Sequence, residues 1–385
     1  MEIALAGVGR MGSAIAERLR AAGHRLSLYD PVLSPGGEVK ESLAAAARGA
    51  EIVFLSLPDA AAVESSLAGL IEAHPPLVVD LTSSLPETTR KVAAELARLG
   101  VAFVDCPLSG GVAGARAGTL TAMAGGDPEL LERIRPVLAA FASTIRWAGP
   151  LGAGHATKAL NNALSAVSLI GTAELLVTAA SYGVGEEEAV RAVNEGPARS
   201  QNSEVKYPRD VLPRSYAAGF SAGLMEKDVA TALAIGAAHA VPMPFLSGAL
   251  VTWREATRAM GAGADFTRVH AVIAARSAGR PSSREGFSLD VMCRALAALN
   301  LIAVREVLRI AQAEGLDRAR LLEIVNTSTG RSEATRSAGA GEVDGRALAQ
   351  ARDLAARAGV WAPLTELGAL LSAGSAGLVG EGPRR

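Results

Sequence analysis

The feature that most constrains the fold of this chain is a glycine loop close to its first residue. The loop Gly7-Val8-Gly9-Arg10-Met11-Gly12 directly follows an apolar run at 3–6 and precedes a helical pattern that opens at Ser13. A loop of this kind between a strand and a helix predicts a dinucleotide-binding unit. In such a loop Gly7 permits a tight turn, Gly9 lets the backbone approach a pyrophosphate, and Gly12 allows close helix packing.

Short apolar runs alternate with helical patterns from residue 1 to about residue 150. The runs lie at 3–6, 26–29, 52–55, 77–81 and 102–104, and Ala-rich helical segments include 13–22 and 86–99. Near-continuous apolar strands alternating with helices predict a parallel sheet covered on both faces. We therefore expect a Rossmann-type, doubly wound α/β domain over residues 1–154.

The pattern changes after Gly154. Segments 156–182, 186–194 and 224–240 are rich in Ala and Leu, show helical periodicity and lack strand-like alternation. The sequence therefore predicts that the α/β domain is followed by all-α structure, with a helical substrate and catalytic domain over residues 155–276.

The last third of the chain resembles the middle third. Shifting residues 158–203 by 132 positions onto 290–335 gives 13 identities in 46 without a gap. Matches less easily ascribed to composition are Gly183 with Gly315, Asn194 with Asn326, and Arg199-Ser200 with Arg331-Ser332. The register predicts an internal duplication, with 288–375 as a degenerate second helical domain and the polar stretch 277–286 as the linker. The alternative is two helical segments of similar composition.

The composition excludes several classes of protein. Apolar residues make up 49% of the chain and charged residues 20%. These proportions are not typical of a disordered protein. A net charge of −1 argues against a nucleic-acid binder that neutralises phosphates. The two cysteines and five histidines lack metal-ligand spacing, so no metal is expected.

The location predicted for the protein is cytoplasmic. Met1 runs straight into the first apolar strand without a basic start or a cleavage site. The most apolar long stretch, 163–180, is interrupted by polar residues, so we expect a buried helix and no membrane span.

Asp30 bears on the choice of cofactor. It follows Gly12 by 18 residues, at the end of the next predicted strand. A carboxylate there accepts hydrogen bonds from a ribose 2′-OH and repels a 2′-phosphate. No arginine follows at 31–33, so NAD is favoured, while Arg10 keeps NADP open.

Four ordered blocks carry a family resemblance. They are the loop 7–12, the run DCPLSGGVAGARAGTL at 105–120, the run GAGHATKALNN at 152–162, and Lys227-Asp228. Together they resemble the β-hydroxyacid dehydrogenases, which include 3-hydroxyisobutyrate dehydrogenase and tartronate semialdehyde reductase. The duplicated helical domain is similar to that of 6-phosphogluconate dehydrogenase.

The resemblance assigns roles to residues of these blocks. It implies that Lys158 exchanges the proton of the substrate hydroxyl, that Asn162 and Asn161 orient the substrate, and that the Ser109-Gly110-Gly111 turn binds the substrate carboxylate. The residues assigned to the cofactor are Gly7, Gly9, Arg10, Met11, Gly12, Asp30, Ser83 and Lys227, of which Ser83 and Lys227 rest on the resemblance alone.

Lys158 also has an interpretation from the residues themselves. A single lysine among Ala, Leu and Asn most often extends its amine to solvent. A lysine partly removed from water near a positive helix N-terminus, however, has a lowered pKa that suits acid–base work. Asn162 is one helical turn on and shares its face.

The expected function is hydride transfer between a nicotinamide cofactor and a small 3-hydroxy carboxylate such as 3-hydroxyisobutyrate. The alternatives are an imine reductase-like enzyme and a nucleotide-binding pseudoenzyme or assembly scaffold. Asp290, Cys293 and Arg294 stand opposite Lys158, Asn161 and Asn162, so the second copy lacks the chemistry. We expect it to substitute for a partner's helical domain in a monomer or homodimer.

Overall fold

A computed structural model describes residues 1–277 and 285–375, so most of the predicted linker at 277–286 lies outside the described residues. The chain divides into two compact units, Met1–Ala159 with Glu314–Ile324, and Leu160–Ala313 with Val325–Arg385. The predicted domains at 1–154, 155–276 and 288–375 were defined by sequence pattern and by the internal duplication, whereas the two units are defined by compactness. The two divisions describe different properties of the chain, so the predicted domains stay a prediction.

A single eight-stranded sheet forms the centre of the first unit. Its strands are β1 Glu2–Ala6, β2 Arg25–Tyr29, β3 Ile52–Leu55, β4 Leu77–Asp80, β5 Ala102–Asp105, β6 Leu108–Ser109, β7 Leu120–Gly125 and β8 Ala142–Gly149. The order is β2-β1-β3-β4-β5-β7-β6, and β8 pairs with β7. The first five strands are parallel, which confirms the predicted Rossmann-type fold. β1 lies between β2 and β3, so the glycine loop opens where the strand order reverses.

The far side of the sheet differs from the prediction of a parallel sheet. β7 runs antiparallel to β5 and β6, and β8 runs parallel to β7. None of these last three strands was predicted. β7 consists largely of Ala, Gly and Thr. Ala and Gly are weak strand formers, so pairing with neighbours rather than local preference makes this segment extended.

Six helices cover the sheet. They are α1 Arg10–Ala21, α2 Leu43–Ala47, α3 Ala60–Ala73, α4 Pro86–Ala97, α5 Gly111–Ala117 and α6 Pro128–Leu138. β1 shows how the sheet is buried on both faces, because Ile3 and Leu5 belong to one apolar cluster while Ala4 and Ala6 belong to another. Alternation along each strand sends successive side chains to opposite faces.

The remaining residues that the structure describes are mainly helical, as predicted. Its helices are α7 Ala153–Ser181, α8 Glu186–Glu195, α9 Ala222–Ala238, α10 Pro244–Met260, α11 Val269–Arg276, α12 Leu289–Ala313, α13 Arg318–Asn326, α14 Glu333–Arg336, α15 Gly345–Arg357 and α16 Pro363–Ser375. A π-helix at Asn202–Val211 and a 3-10 turn at Phe266–Arg268 connect some of them. α7 begins in the first unit and continues into the second.

α7 is the one helix among the described residues that is long and apolar enough to cross a membrane. Its most apolar window has a mean hydropathy of 1.7, and 94% of that window is buried inside the protein. Burial of this extent is typical of the core helix of a globular protein, as the interrupting polar residues predicted.

A short part of the predicted second copy belongs to the first unit. Ile324 packs in a cluster with Met123, Ala148 and Ala153. The guanidinium of Arg320 lies over the ring of Trp147, 4.2 Å from its centroid. Residues 314–324 are therefore attached to the α/β unit by apolar and cation–π contacts.

Equivalent positions of the two predicted copies pair with each other inside the second unit. Ser200 and Ser332, which the shift of the two copies aligns, form an antiparallel bridge. In this bridge Gln201 N donates to Arg331 O at 2.9 Å, and Glu333 N donates to Arg199 O at 3.0 Å. The shift of 132 positions converts each of these two hydrogen bonds into the other. The bridge is thus symmetric with respect to the two copies.

Two buried glutamates, Glu174 on α7 and Glu306 on α12, show the same relation. The carboxylate of Glu174 accepts hydrogen bonds from the backbone N–H groups of 364 and 365, at the first turn of α16. The carboxylate of Glu306 accepts from those of 245 and 246, at the first turn of α10. The long helix of each predicted copy therefore caps a helix of the other copy.

Candidate active site

The glycine loop after β1 needs two of its glycines for steric reasons. Gly7 has φ of +89°, and a Cβ there would lie 2.2 Å from the carbonyl oxygen of Ser56. A Cβ on Gly12 would lie 1.9 Å from the carbonyl oxygen of Gly7. A Cβ on Gly9 would meet no atom within 4 Å. Gly9 therefore borders open space, which a closely approaching ligand can fill.

The first turn of α1 faces this space. Gly9 is the N-cap residue and gives no side-chain hydrogen bond, and the first turn contains no acidic residue. The N–H groups there and the positive end of the helix dipole suit an anion such as a pyrophosphate. Arg10 is exposed and Met11 partly buried at the same turn, so both border the predicted cofactor site.

Asp30 is held at the edge of the loop, just after β2. Its Oδ2 accepts a hydrogen bond from Val8 N at 2.8 Å, and its Oδ1 accepts from Val32 N at 3.0 Å. A carboxylate has about four lone-pair sites, so these two bonds leave capacity for a ribose hydroxyl. The loop, the uncapped helix and this carboxylate together fit a dinucleotide.

Ser83 and the Ser109-Gly110-Gly111 turn follow other strands of the sheet. Ser83, partly exposed, comes after β4, where Thr82 Oγ1 accepts from Leu57 N at 3.1 Å. Gly110 and Gly111 have φ of +125° and +67°, so this turn requires glycine at both positions. The turn leads from β6 into α5, where backbone N–H groups can receive a carboxylate.

The start of α7 is attached to the end of β5 by Asp105. Its carboxylate accepts hydrogen bonds from Gly152 N at 2.8 Å and from His155 N at 2.9 Å. A Cβ on Gly154 would lie 2.7 Å from the same carboxylate. Lys158 follows one turn later and is only 5% exposed. The sheet therefore fixes the position of the helical turn that carries this lysine.

His155 adds a buried polar contact at the same place. Its Nδ1 lies 2.6 Å from Thr89 Oγ1, and its Nε2 lies 3.8 Å from Asp80 Oδ2. Burial raises the pKa of the Asp80 carboxyl, and the nearby imidazole opposes that shift. Thr89 and Asp105 thus hydrogen-bond to His155 in the first turn of α7.

In the second unit, Asp228 connects two of the predicted site residues. Asn162 Nδ2 donates to Asp228 Oδ2 at 2.5 Å, and Lys227 Nζ lies 3.4 Å from Asp228 Oδ1. Asp228 is 2% exposed. A buried carboxylate with two such partners fixes the orientation of both.

Asn161 lies beside Asn162 and contacts the second predicted copy. Its Nδ2 donates to Asn162 Oδ1 at 3.1 Å and to Thr329 Oγ1 at 2.8 Å. Its Oδ1 accepts from Gly330 N at 2.9 Å. The role predicted for Asn161, contact with the substrate, stays a prediction.

The structure also shows what the second copy has at the positions aligned with the site. Arg294 Nε donates to Asp290 Oδ2 at 2.9 Å, and its Nη1 donates to Asp344 Oδ2 at 2.6 Å. An ion-pair group thus stands at the position aligned with Asn162.

Sequence reasoning missed the roles of Asp105, Asp228 and Thr329. Asp105 and Asp228 lie inside quoted motif blocks, where the isolated carboxylates were a usable signal. Thr329 gave no signal, because its contact with Asn161 joins residues 168 positions apart.

Comparison with known proteins matches the N-terminal α/β region and the helical region that follows it to described families. Residues 2–149 match the NAD binding domain of 6-phosphogluconate dehydrogenase. Residues 152–273 and 285–351 match the family described as the NAD-binding domain of NADP-dependent 3-hydroxyisobutyrate dehydrogenase.

Individual relatives agree with these matches. The NAD-dependent L-serine dehydrogenase of Pseudomonas aeruginosa is 35% identical over 293 residues, which cover 70% of this chain and 96% of that protein. The structure of Mycobacterium tuberculosis 3-hydroxyisobutyrate dehydrogenase with L-serine is 32% identical, with a TM-score of 0.66, and covers 70% of this chain and 98% of that one.

A second solved structure covers the remaining part of the chain as well. Plasmodium falciparum 6-phosphogluconate dehydrogenase aligns with 100% of this chain and 94% of its own, with a TM-score of 0.70 and 14% identity. At that identity the likeness concerns the fold alone, and it extends over the region predicted to be the second helical copy.

Proposed function

The chain belongs to the family of NAD(P)-dependent hydroxyacid dehydrogenases that includes 3-hydroxyisobutyrate dehydrogenase, and we propose that it oxidises a small 3-hydroxy carboxylate with Lys158 as the general base. The observation that carries the proposal is the position of Lys158. It is buried to 5% exposure, one turn beyond the carboxylate of Asp105 that anchors α7. A buried lysine on a fixed turn has the rigidity that acid–base catalysis requires.

The chain's own residues divide the remaining work. The Ser109-Gly110-Gly111 turn binds the substrate carboxylate through backbone N–H groups. Asn162, one turn after Lys158 on α7, orients the substrate hydroxyl. Lys158 Nζ accepts the hydroxyl proton as the carbinol carbon loses its hydride, and it returns the proton in the reverse direction.

A bound nicotinamide dinucleotide supplies the hydride acceptor in this reaction. The residues that would hold it are Gly7, Gly9, Arg10, Met11, Gly12, Asp30, Ser83 and Lys227. The first five surround the open space at the start of α1, and Asp30 borders the same loop. We propose NAD as the preferred form, because Asp30 is unfavourable to a 2′-phosphate.

Asp30→Asn is expected to weaken the preference for NAD. The amide keeps an acceptor for Val8 N but removes the negative charge that repels a 2′-phosphate. The ratio of kcat/KM for NAD to that for NADP should fall about tenfold. Steady-state kinetics with both cofactors measures this, with Glu87→Ala, which removes an exposed carboxylate from α4, as the control. An unchanged ratio would show that Asp30 does not read the ribose.

The substrate class is proposed from the site and the named relatives. The relatives act on or bind L-serine and 3-hydroxyisobutyrate, both small 3-hydroxy carboxylates. Nicotinamide absorbance followed with NAD and NADP over 3-hydroxyisobutyrate, glycerate, threonate and serine tests the class. Turnover of one of these acids supports the proposal. Tight cofactor binding without turnover of any of them would contradict it.

We further propose that the second helical copy takes the place of a partner's helical domain. The bridge between Ser200 and Ser332 supports this, because it joins equivalent positions of the two copies. Glu174 and Glu306 support it as well, because each caps a helix of the other copy. A monomer or a homodimer is then expected, in the cytoplasm and without a nucleic-acid or membrane partner. Light scattering of the purified protein measures the mass, for which one chain contributes 39.2 kDa.

A further inference from the structure

A row of hydrogen bonds runs through the second unit from the second helical copy to Asp228. Gly330 N donates to Asn161 Oδ1 at 2.9 Å, Asn161 Nδ2 donates to Asn162 Oδ1 at 3.1 Å, and Asn162 Nδ2 donates to Asp228 Oδ2 at 2.5 Å. Every bond in the row points in the same direction. Hydrogen bonds aligned in this way polarise and strengthen one another.

The two ends of the row determine the orientation of both amides. A backbone N–H can only donate, so the group of Asn161 that faces Gly330 must be the oxygen. At the other end Lys227 Nζ lies 3.4 Å from Asp228 Oδ1, and Asn162 Nδ2 donates to Asp228 Oδ2, so the group of Asn162 that faces this carboxylate is the nitrogen. Amide orientation is often ambiguous in a structure, but here a fixed donor and a fixed acceptor remove the ambiguity.

Thr329 reinforces the same orientation from the second copy. Its Oγ1 accepts the second Nδ2 hydrogen of Asn161 at 2.8 Å. Asn161 is fully buried and Asn162 is 3% exposed. Reversing either amide would therefore leave buried donors facing donors and buried acceptors facing acceptors. A reversal of Asn161 would also bring its oxygen against Asn162 Oδ1.

We propose that the Thr329-Gly330 turn of the second helical copy is a positioning element for the active site, because it fixes the amide of Asn162 through Asn161. The inference rests on the function proposed above, in which Asn162 orients the substrate one turn after Lys158. The second copy, which has lost the catalytic side chains, thus still contributes to catalysis by the first.

The turn lies close to α7 in a way that a larger residue would disturb. A Cβ on Gly330 would lie 2.6 Å from the backbone oxygen of Asn161 and 2.9 Å from its Oδ1. Gly330→Ala would therefore push the turn away from the helix and could also unfold the region. Thr329→Val is the better test, because valine matches threonine in shape and lacks the hydroxyl.

Thr329→Val is expected to lower kcat about tenfold, because a displaced orienting amide misplaces the reacting hydroxyl. The KM for NAD should not change. Thr329→Ser, which restores the hydroxyl, should recover most of the lost kcat, which a purely structural role would not predict. Ser328→Ala is the matched control, because Ser328 Oγ is buried in the same turn and has no hydrogen-bond partner among the described residues.

A second measurement does not depend on activity. The asparagines of the chain are Asn161, Asn162, Asn194, Asn202, Asn300 and Asn326. Selective ¹⁵N labelling of asparagine therefore gives a simple set of side-chain amide resonances, assigned by Asn→Asp substitution. Thr329→Val should shift the resonances of both Asn161 and Asn162 and leave that of Asn300 in place.

The outcomes separate this inference from the proposed function. An active wild type whose Thr329→Val variant keeps both kcat and the two amide resonances would overturn the inference alone. A wild-type protein that turns over none of the 3-hydroxy acids would contradict the proposed function. If, in addition, the Asn161 and Asn162 resonances did not shift in Thr329→Val, the positioning contact would be overturned as well. Loss of kcat in Ser328→Ala equal to that in Thr329→Val would also overturn it.

Discussion

Replacement of Lys158 by methionine is expected to lower kcat by roughly 10²- to 10⁴-fold, the usual contribution of one general acid–base group. Methionine preserves most of the length and apolar character of the buried stem but has no amine to accept the hydroxyl proton. Binding of NAD should be unchanged, because the glycine loop and Asp30 lie elsewhere in the first unit. Stopped-flow and steady-state kinetics, with fluorescence titration of the cofactor, measure both quantities.

The matched control is Lys91→Met. Lys91 is an exposed lysine on α4 that pairs with Glu64, so its loss should leave kcat at the wild-type level. If Lys158→Met retained wild-type kcat while binding NAD normally, another group would have to take the proton, and the assignment of Lys158 would be wrong.

Glu174→Ala is expected to lower the free energy of unfolding by about 3 kcal/mol or more, since it leaves buried donors without an acceptor. The carboxylate accepts from Leu364 N, Thr365 N and Thr365 Oγ1 at 2.7–2.9 Å. These donors lie at the start of α16, so loss of their hydrogen bonds to Glu174 also weakens the contact between the two predicted helical copies. Urea unfolding measures the effect, with Glu188→Ala, an exposed glutamate on α8, as the control.

The same residue gives the stability a pH dependence. Burial raises the pKa of Glu174 from 4.5 to about 7, although its hydrogen bonds oppose the shift. Between these two values the folded state keeps a proton that the unfolded state has lost. Folding stability from this group is therefore fully present below pH 4.5 and is lost as the pH rises through about 7.

Glu174→Gln removes the titration while keeping the shape of the side chain. As the pH rises from about 4.5 to 7, the unfolding free energy of the wild type should therefore fall relative to that of this variant. A difference independent of pH over that window would show that Glu174 does not titrate there.

The parts of the fold that the sequence predicted have local causes. The loop 7–12 needs glycine because a Cβ on Gly7 or Gly12 would collide with neighbouring backbone, and that requirement is visible as a motif. β1 and β3 to β5 are mostly apolar and almost wholly buried, as expected of strands covered on both faces. β7 was missed because pairing across the sheet, rather than its own Ala, Gly and Thr residues, makes it a strand.

The candidate site was only partly predictable for the same reason. Lys158 and Asn162 could be predicted as site residues because they lie in one short motif on α7. The anchors that position them come from distant parts of the chain, Asp105 at the end of β5, Asp228 on α9 and Thr329 after α13. No periodicity or spacing reveals such contacts, since they exist only once the elements have packed.

The predicted duplication shows a similar division between what the sequence reveals and what packing decides. A gapless shift of 132 positions identified Glu174 and Glu306 as equivalent residues. The sequence does not reveal that these two residues cap α16 and α10. Which helix each carboxylate faces is decided only when the two predicted copies pack together.

The central claim is that hydride passes from the carbinol carbon of a 3-hydroxy carboxylate to the nicotinamide. The most direct test uses the best substrate of the panel, deuterated at that carbon, with NAD and the wild-type protein. The deuterium is expected in the reduced cofactor, where NMR of the nicotinamide ring detects it. Deuterium released to water, or no reduced cofactor with any acid of the panel, would contradict it.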